Sequence, residues 1–172
     1  MLAAIVMAIT ITAMPMQVQD TTAHRDSTAV QPPTLEQIRY MAGLKTVTRG
    51  VTQVREGLNR VSRAQQADSL RRRRAARMLG GFCGTARSFI VSGRPKMQAN
   101  AYSDSLRILA KQVTTRLDSL TAALPSCEKT AGRDPTIATT LGARLKNYDD
   151  ALLAFRTAQT AKPDSAKVTS SQ

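Results

Sequence analysis

The 172-residue chain has 3% aromatic residues and no Trp, which argues against a β-sandwich and for one helical domain cored by Leu, Val, Ile, Ala and Met. Its single histidine, His24, removes most catalytic triads and most zinc sites. The net charge is +13, and residues 39–96 hold 14 Lys/Arg against Glu56 and Asp68, while the other 11 basic residues face 10 acids. So concentrated a positive charge calls for an acidic partner or a solvated basic face.

Residues 2–13 (LAAIVMAITITA) are apolar, and no charge occurs before Asp20. The run has the length of a signal-peptide core and falls short of the ~20 apolar residues a membrane span needs. Ala13 offers a small residue for cleavage, although no Lys or Arg precedes the run. Residues 1–16 are therefore expected to be a signal peptide or a membrane anchor, the latter extending uncharged through Val18. A buried helix is the competing reading. Residues 17–33 are polar, end in Pro32-Pro33, and read as a disordered tether. The expected location is the periplasm or the outer face of an inner membrane.

The folded part, 34–161, reads as an all-α antiparallel bundle of about four helices, approximately 34–66, 67–92, 98–124 and 134–161. A capping box, Thr34-Leu35-Glu36-Gln37, opens the first helix. A heptad then repeats three times: GLKTVTR, GVTQVRE, GLNRVSR. Gly43, Gly50 and Gly57 open the copies, Leu44, Val51 and Leu58 follow, and Val47, Val54 and Val61 come three later. This spacing is the seam of a helix packed lengthwise on another helix. Three glycines in a helix cost ~3 kcal/mol against alanine, so the seam predicts a neighbour whose backbone comes close.

The register fails at Gln65 and Asp68, although a first helix running on to Leu79 is also compatible with the sequence. The second helix carries Leu70, Ala75, Leu79, Phe82, Ala86 and Phe89, with Gly80-Gly81 marking a break or a close contact. Ser92-Gly93-Arg94-Pro95 reads as its turn. The third carries Tyr102, Leu106, Leu109, Val113, Leu117, Leu120 and Leu124, capped by Asn100 or Ser103 and stopped by Pro125. The fourth starts with Asp134 as N-cap and Pro135 as first helical residue. Its stripe is Ile137, Leu141, Leu145, Tyr148, Leu152 and Phe155. Residues 162–172 read as a loose polar tail.

Cys83 and Cys127 suit a disulfide in an oxidising compartment. A hairpin about Gly93 would leave them roughly 30 Å apart along the helix axes, so the bond requires a kinked or broken helix. Neither a catalytic constellation nor a cofactor, metal or phosphate-loop motif is present. Asp149-Asp150 points its carboxylates about 100° apart on a helix, a solvated pair rather than an acid/base dyad.

Arg71, Arg72, Arg73 and Arg74, with Arg77 beyond them, form the sharpest motif. Four consecutive helical residues sweep most of the wheel, so burial would strand at least one guanidinium. The run is expected at a protruding end, a hinge or a contact site, either holding carboxylate or phosphate or forming a solvent-exposed end paired with Asp68 and other acids of the chain.

The function expected is non-enzymatic: a membrane-extrinsic structural or interaction subunit. It would bind an acidic protein or membrane complex through 39–96, with the glycine edge docking a helix. Anionic lipid headgroups would be a second contact, and no small-molecule substrate is evident. Pro33-Thr34-Leu35-Glu36-Gln37 resembles the Leu-Thr-x-x-Gln motif of small basic periplasmic chaperones of the Spy/CpxP type. Leu and Thr are reversed and the motif occurs once. That resemblance accompanies an alternative holdase-like reading. Nucleic-acid binding ranks third, because no stacking aromatics lie among the basic residues.

Overall fold

A computed structural model of the protein describes residues 32–161. The leader, the tether as far as Gln31 and the tail from 162 lie outside the described residues. The described chain is an antiparallel four-helix bundle of α1 (Leu35–Ala64), α2 (Ser69–Gly93), α3 (Asp104–Thr130) and α4 (Thr136–Thr160). Two short 3-10 turns, Arg94–Lys96 and Ala99–Ala101, lie between α2 and α3. There is no strand among the described residues.

The capping box that opens α1 is formed on both sides. The Gln37 amide donates to the Thr34 hydroxyl at 3.2 Å, and the Thr34 amide donates to the Gln37 side chain at 2.9 Å. α1 ends at Ala64, where its apolar register ends, and does not continue to Leu79. Asp68 starts the next helix as N-cap, accepting from the Arg71 amide at 2.8 Å.

The glycine seam is the contact between α1 and α2. A β-carbon on Gly43 would lie 2.8 Å from the carbonyl oxygen of Gly93, and one on Gly50 would lie 2.7 Å from that of Ala86. At Gly57 the nearest atom belongs to a side chain, Cδ1 of Leu79 at 2.7 Å. The three glycines therefore face Gly93, Ala86 and Leu79, which are themselves a heptad apart on α2. The facing residue grows along the seam. Backbones touch at the Gly43 end, while a leucine side chain separates them near Gly57.

No break occurs at Gly80-Gly81; α2 is continuous. Gly80 instead admits the backbone of α3, with the Glu128 carbonyl oxygen 3.0 Å from where its β-carbon would be. Three positions expected on the α2 stripe differ: Leu70 is 71% exposed, and Phe82 and Phe89 are half-buried. Cys83 and Ile90 fill the core side in their place.

Cys83 and Cys127 are bonded, with Cα atoms 6.1 Å apart. The separation expected from a hairpin about Gly93 does not hold, because the chain does not turn back there. After Gly93 it continues past the first turns of α1, where Met97 packs on Gly43 and the Tyr102 ring meets Tyr40 edge-on at 5.2 Å. α3 thus starts beyond the end of α2, at Asp104 rather than 98, and its last turns come level with Cys83. Those turns exist because α3 runs through Pro125 to Thr130. An internal proline costs ~3 kcal/mol, and burial of Ala123, Leu124 and Cys127 around it outweighs that. Of the two expected caps of α3, Ser103 stands at the N-cap position, without a side-chain cap bond, while Asn100 lies in a 3-10 turn.

Pro135 stands at the N-cap position of α4, one residue later than expected for the cap. Asp134 still serves the helix start, its carboxylate accepting from the Thr136 amide at 2.8 Å and hydroxyl at 2.7 Å. Those bonds hold its pKa below the ordinary value. All six residues of the expected α4 stripe are buried. Tyr40, Tyr102 and Phe155 close one end of the bundle as an aromatic cluster with centroids 5.2–5.5 Å apart.

Two outcomes follow from this packing. Gly50→Ala forces the helices apart and should lower the urea unfolding free energy by about 1–3 kcal/mol. Gly81→Ala, where a β-carbon meets nothing within 4 Å, should raise it by about 1 kcal/mol. Equal effects at the two sites would contradict the close contact at Gly50. Separately, a Cys83→Ser/Cys127→Ser variant should lose about 4 kcal/mol on the chain-entropy estimate for a separation of 44 residues. Unfolding with and without reductant measures this; an unchanged midpoint would show that the bond does not constrain the chain.

Candidate partner-binding surface

The basic residues of 39–96 include two sets with distinct surroundings, besides Arg39, Lys45, Arg49 and Lys96, which are exposed and make no ion pair among the described residues. Some are struts between or within helices. A single nitrogen of Arg55 on α1, Nη2, donates to both carboxylate oxygens of Asp149 on α4 at 2.8 and 2.9 Å. Arg94 forks onto Asp118 of α3 at 2.7 and 2.8 Å, and the hydrogen bond to Asp118 raises its pKa. Arg60 and Arg63 share Glu56, and Arg87 reaches Glu128 at 3.8 Å. Arg60 also lies over the Phe82 ring, 5.3 Å from its centroid.

The second group is the arginine run. Arg71, Arg72, Arg73, Arg74 and Arg77 are all exposed. None of the four consecutive residues faces the core, because the first buried residue of α2 is Ala75. The first turn and a half of the helix thus project past the packed layers. Arg71 pairs with Asp68 at 3.4 Å, and Arg72 reaches only the Gln65 carbonyl, at 3.5 Å. Among the described residues, Arg72, Arg73, Arg74 and Arg77 have no carboxylate partner. The stem of Arg77 lies over Gly132, whose β-carbon would be 2.7 Å from Arg77 Cγ. This ties the run to the α3–α4 connection.

The electrostatics are unfavourable as they stand. A helix N-terminus carries the positive end of the macrodipole and favours anions, yet the N-cap Asp68 is the sole acid there, and the first turn of α2 holds none. An external anion would relieve both the mutual repulsion of the arginines and their conflict with the dipole.

Beside the run lies a cleft of about 340 Å³, where the end of α1, the start of α2 and the α3–α4 connection meet. A smaller cleft of about 210 Å³ lies between α1 and α4. It carries the Arg55–Asp149 pair and the buried Tyr148 hydroxyl, whose pKa burial pushes up to about 12. That hydroxyl has no hydrogen-bond partner; Thr48, on the facing helix, donates instead to the Leu44 carbonyl at 2.8 Å. Its two arginines, Arg55 and Arg156, share the cleft with the Asp149 carboxylate that Arg55 already holds, so this cleft carries less positive charge than the first.

Other sequence candidates have structural roles. The seam residues Gly43, Leu44, Val47, Gly50, Val51, Val54, Gly57, Leu58 and Val61 face the protein's own α2 and core. The helix docked by the glycine edge is therefore internal, and the seam is not free for a partner. Asp149 and Asp150 diverge, the first to Arg55 and the second to Lys146 at 2.7 Å. Among the described residues no group of three His, Cys, Asp or Glu side chains converges as a metal site. No described helix is long and apolar enough to cross a membrane. What sequence reasoning missed is the Arg133 side of the cleft, which only the return of α3 past Pro125 brings beside α2.

If the run is uncompensated within the chain, Arg72→Glu/Arg73→Glu should raise the unfolding free energy by about 1 kcal/mol in low-salt urea titrations. A fall would show that groups in the chain already neutralise these arginines.

Comparison with known proteins finds no matching family, no similar curated protein and no similar solved structure.

Proposed function

We propose that the protein is a non-enzymatic, exported interaction subunit that sits against a membrane complex and grips an acidic surface with the arginine end of its bundle. The observation that carries this reading is the exposure of Arg71 to Arg74 on a helix N-terminus, with three of them lacking a carboxylate partner. Arginine's planar fork suits carboxylate and phosphate oxygens. Export is supported by the apolar leader and by the Cys83–Cys127 bond, since persistent disulfides belong to oxidising compartments.

A protein surface is favoured over nucleic acid. The three tyrosines and three phenylalanines are buried or half-buried, which leaves no aromatic platform beside the arginines for stacking bases. The holdase-like alternative draws on Leu35, Ile38, Met41 and Leu153, exposed apolar side chains on α1 and α4. It predicts broad suppression of client aggregation, whereas a subunit has one stoichiometric partner.

Replacing Arg71 to Arg74 by Ser should weaken co-purification with native membranes at low salt and flatten its salt dependence, because fewer counterions are released. Unchanged co-purification of the variant would sink this proposal.

A further inference from the structure

We infer that the cleft at the arginine end takes an acidic peptide segment carrying an aliphatic side chain: carboxylates on the rim, the aliphatic group on the floor. This rests on the proposed acidic partner and specifies its chemistry.

The cleft has two kinds of wall. Arg72 and Arg73 come from α2 and Arg133 from the α3–α4 connection. None of the three has a carboxylate partner among the described residues. Between them the lining is mostly aliphatic, with Val61 of α1 and Ala76 and Leu79 of α2. Its one acid, Asp134, has its carboxylate held by the Thr136 amide and hydroxyl, and leaves the rim net positive. The volume, about 340 Å³, accommodates an aliphatic side chain.

The cavity exists because of the tapered seam. Where Gly43 and Gly50 meet backbone, α1 and α2 leave no room between them. Past Gly57 and Leu79 a side chain separates the helices, and the α3–α4 connection closes the gap only from one side. A recessed apolar floor inside a cationic rim is poorly matched to a planar surface of headgroups, which touches the rim alone. A protruding chain reaches both. Free carboxylates without an apolar group would use half of the site.

The test uses the full protein and two labelled peptides of equal charge, acetyl-Glu-Asp-Leu-Glu-Asp-amide and the same peptide with Ser in place of Leu. Fluorescence anisotropy at low salt should show the Leu peptide binding about tenfold tighter, the order expected for removing one such side chain from water. Ala76→Phe, which fills the floor, should abolish that preference while leaving the Ser peptide unaffected. Thr139→Phe fills the cleft from its exposed wall and provides the same readout if Ala76→Phe does not fold. Arg72→Gln/Arg73→Gln/Arg133→Gln should weaken both peptides.

Equal affinity of the two peptides, or a Leu preference that survives both filled variants, overturns the inference. So does displacement of the Leu peptide by phosphatidylglycerol vesicles but not by excess unlabelled peptide, which would assign the cleft to lipid. The broader reading fails separately. Membrane association that depends on Arg71 to Arg74, with no Leu preference, keeps the arginine end and removes the cleft. A Leu preference with membrane association indifferent to those arginines does the reverse.

Discussion

The architecture depends on the backbone contact between α1 and α2 at Gly43–Gly93 and Gly50–Ala86. It fixes the two helices antiparallel at a distance that no β-carbon permits. With Gly93 held against Gly43, the chain leaving α2 must travel past the N-terminal turns of α1 before α3 can begin. That detour places Met97 and Tyr102 in the core, sets the offset of α3 and brings Cys127 to Cys83. Remove the close approach and the aromatic end, the disulfide and the α3–α4 connection all lose their positions.

The charge distribution follows from the same geometry. Where α1 and α2 face α3 or α4, three cations find carboxylates: Arg55 with Asp149, Arg94 with Asp118, Arg87 with Glu128. These pairs are solvent-accessible and worth little individually, and other cations of the flanks, Arg39, Arg49, Arg107 and Arg116 among them, have no carboxylate partner among the described residues. At the start of α2 the facing α3–α4 connection adds Arg133 against a single acid, Asp134, and the positive charge accumulates. The protein is thus basic over much of its surface, and most densely so at the end where Arg71 to Arg74, Arg77 and Arg133 lie together.

Much of the fold was legible in the sequence because local chemistry and packing agreed there. The Thr34–Gln37 box, the glycine heptads and the apolar stripe of α4 each point to the structure they form. The failures sit where a long-range contact overrode a local signal. Pro125 reads as a stop, yet buried neighbours and a disulfide two residues later hold the helix together. Gly80-Gly81 reads equally as a break or as a contact, and only the position of Glu128 decides. The cysteines read as too far apart because the turn signal at Gly93 implies a reversal of direction, which the chain completes only at the start of α3. Of the candidate surface, the arginine run was visible as a motif. Arg133 was not, since no local pattern links it to residues some sixty positions earlier.

The graded seam also answers a question that a repeat raises. Three equivalent heptads have no register of their own, and a chain carrying them could settle one copy out of step. Here α2 is not a repeat of equals: Gly93, Ala86 and Leu79 increase in size in that order. Sliding so that Gly50 faced Leu79 would drive a leucine into a space where backbone oxygen already lies 2.7 Å from the absent β-carbon. Sliding the other way would require the connection 65–68 to span a further heptad, about 10 Å. A degenerate sequence thus acquires a single alignment from the asymmetry of the helix it meets, and the copies of the repeat are no longer interchangeable.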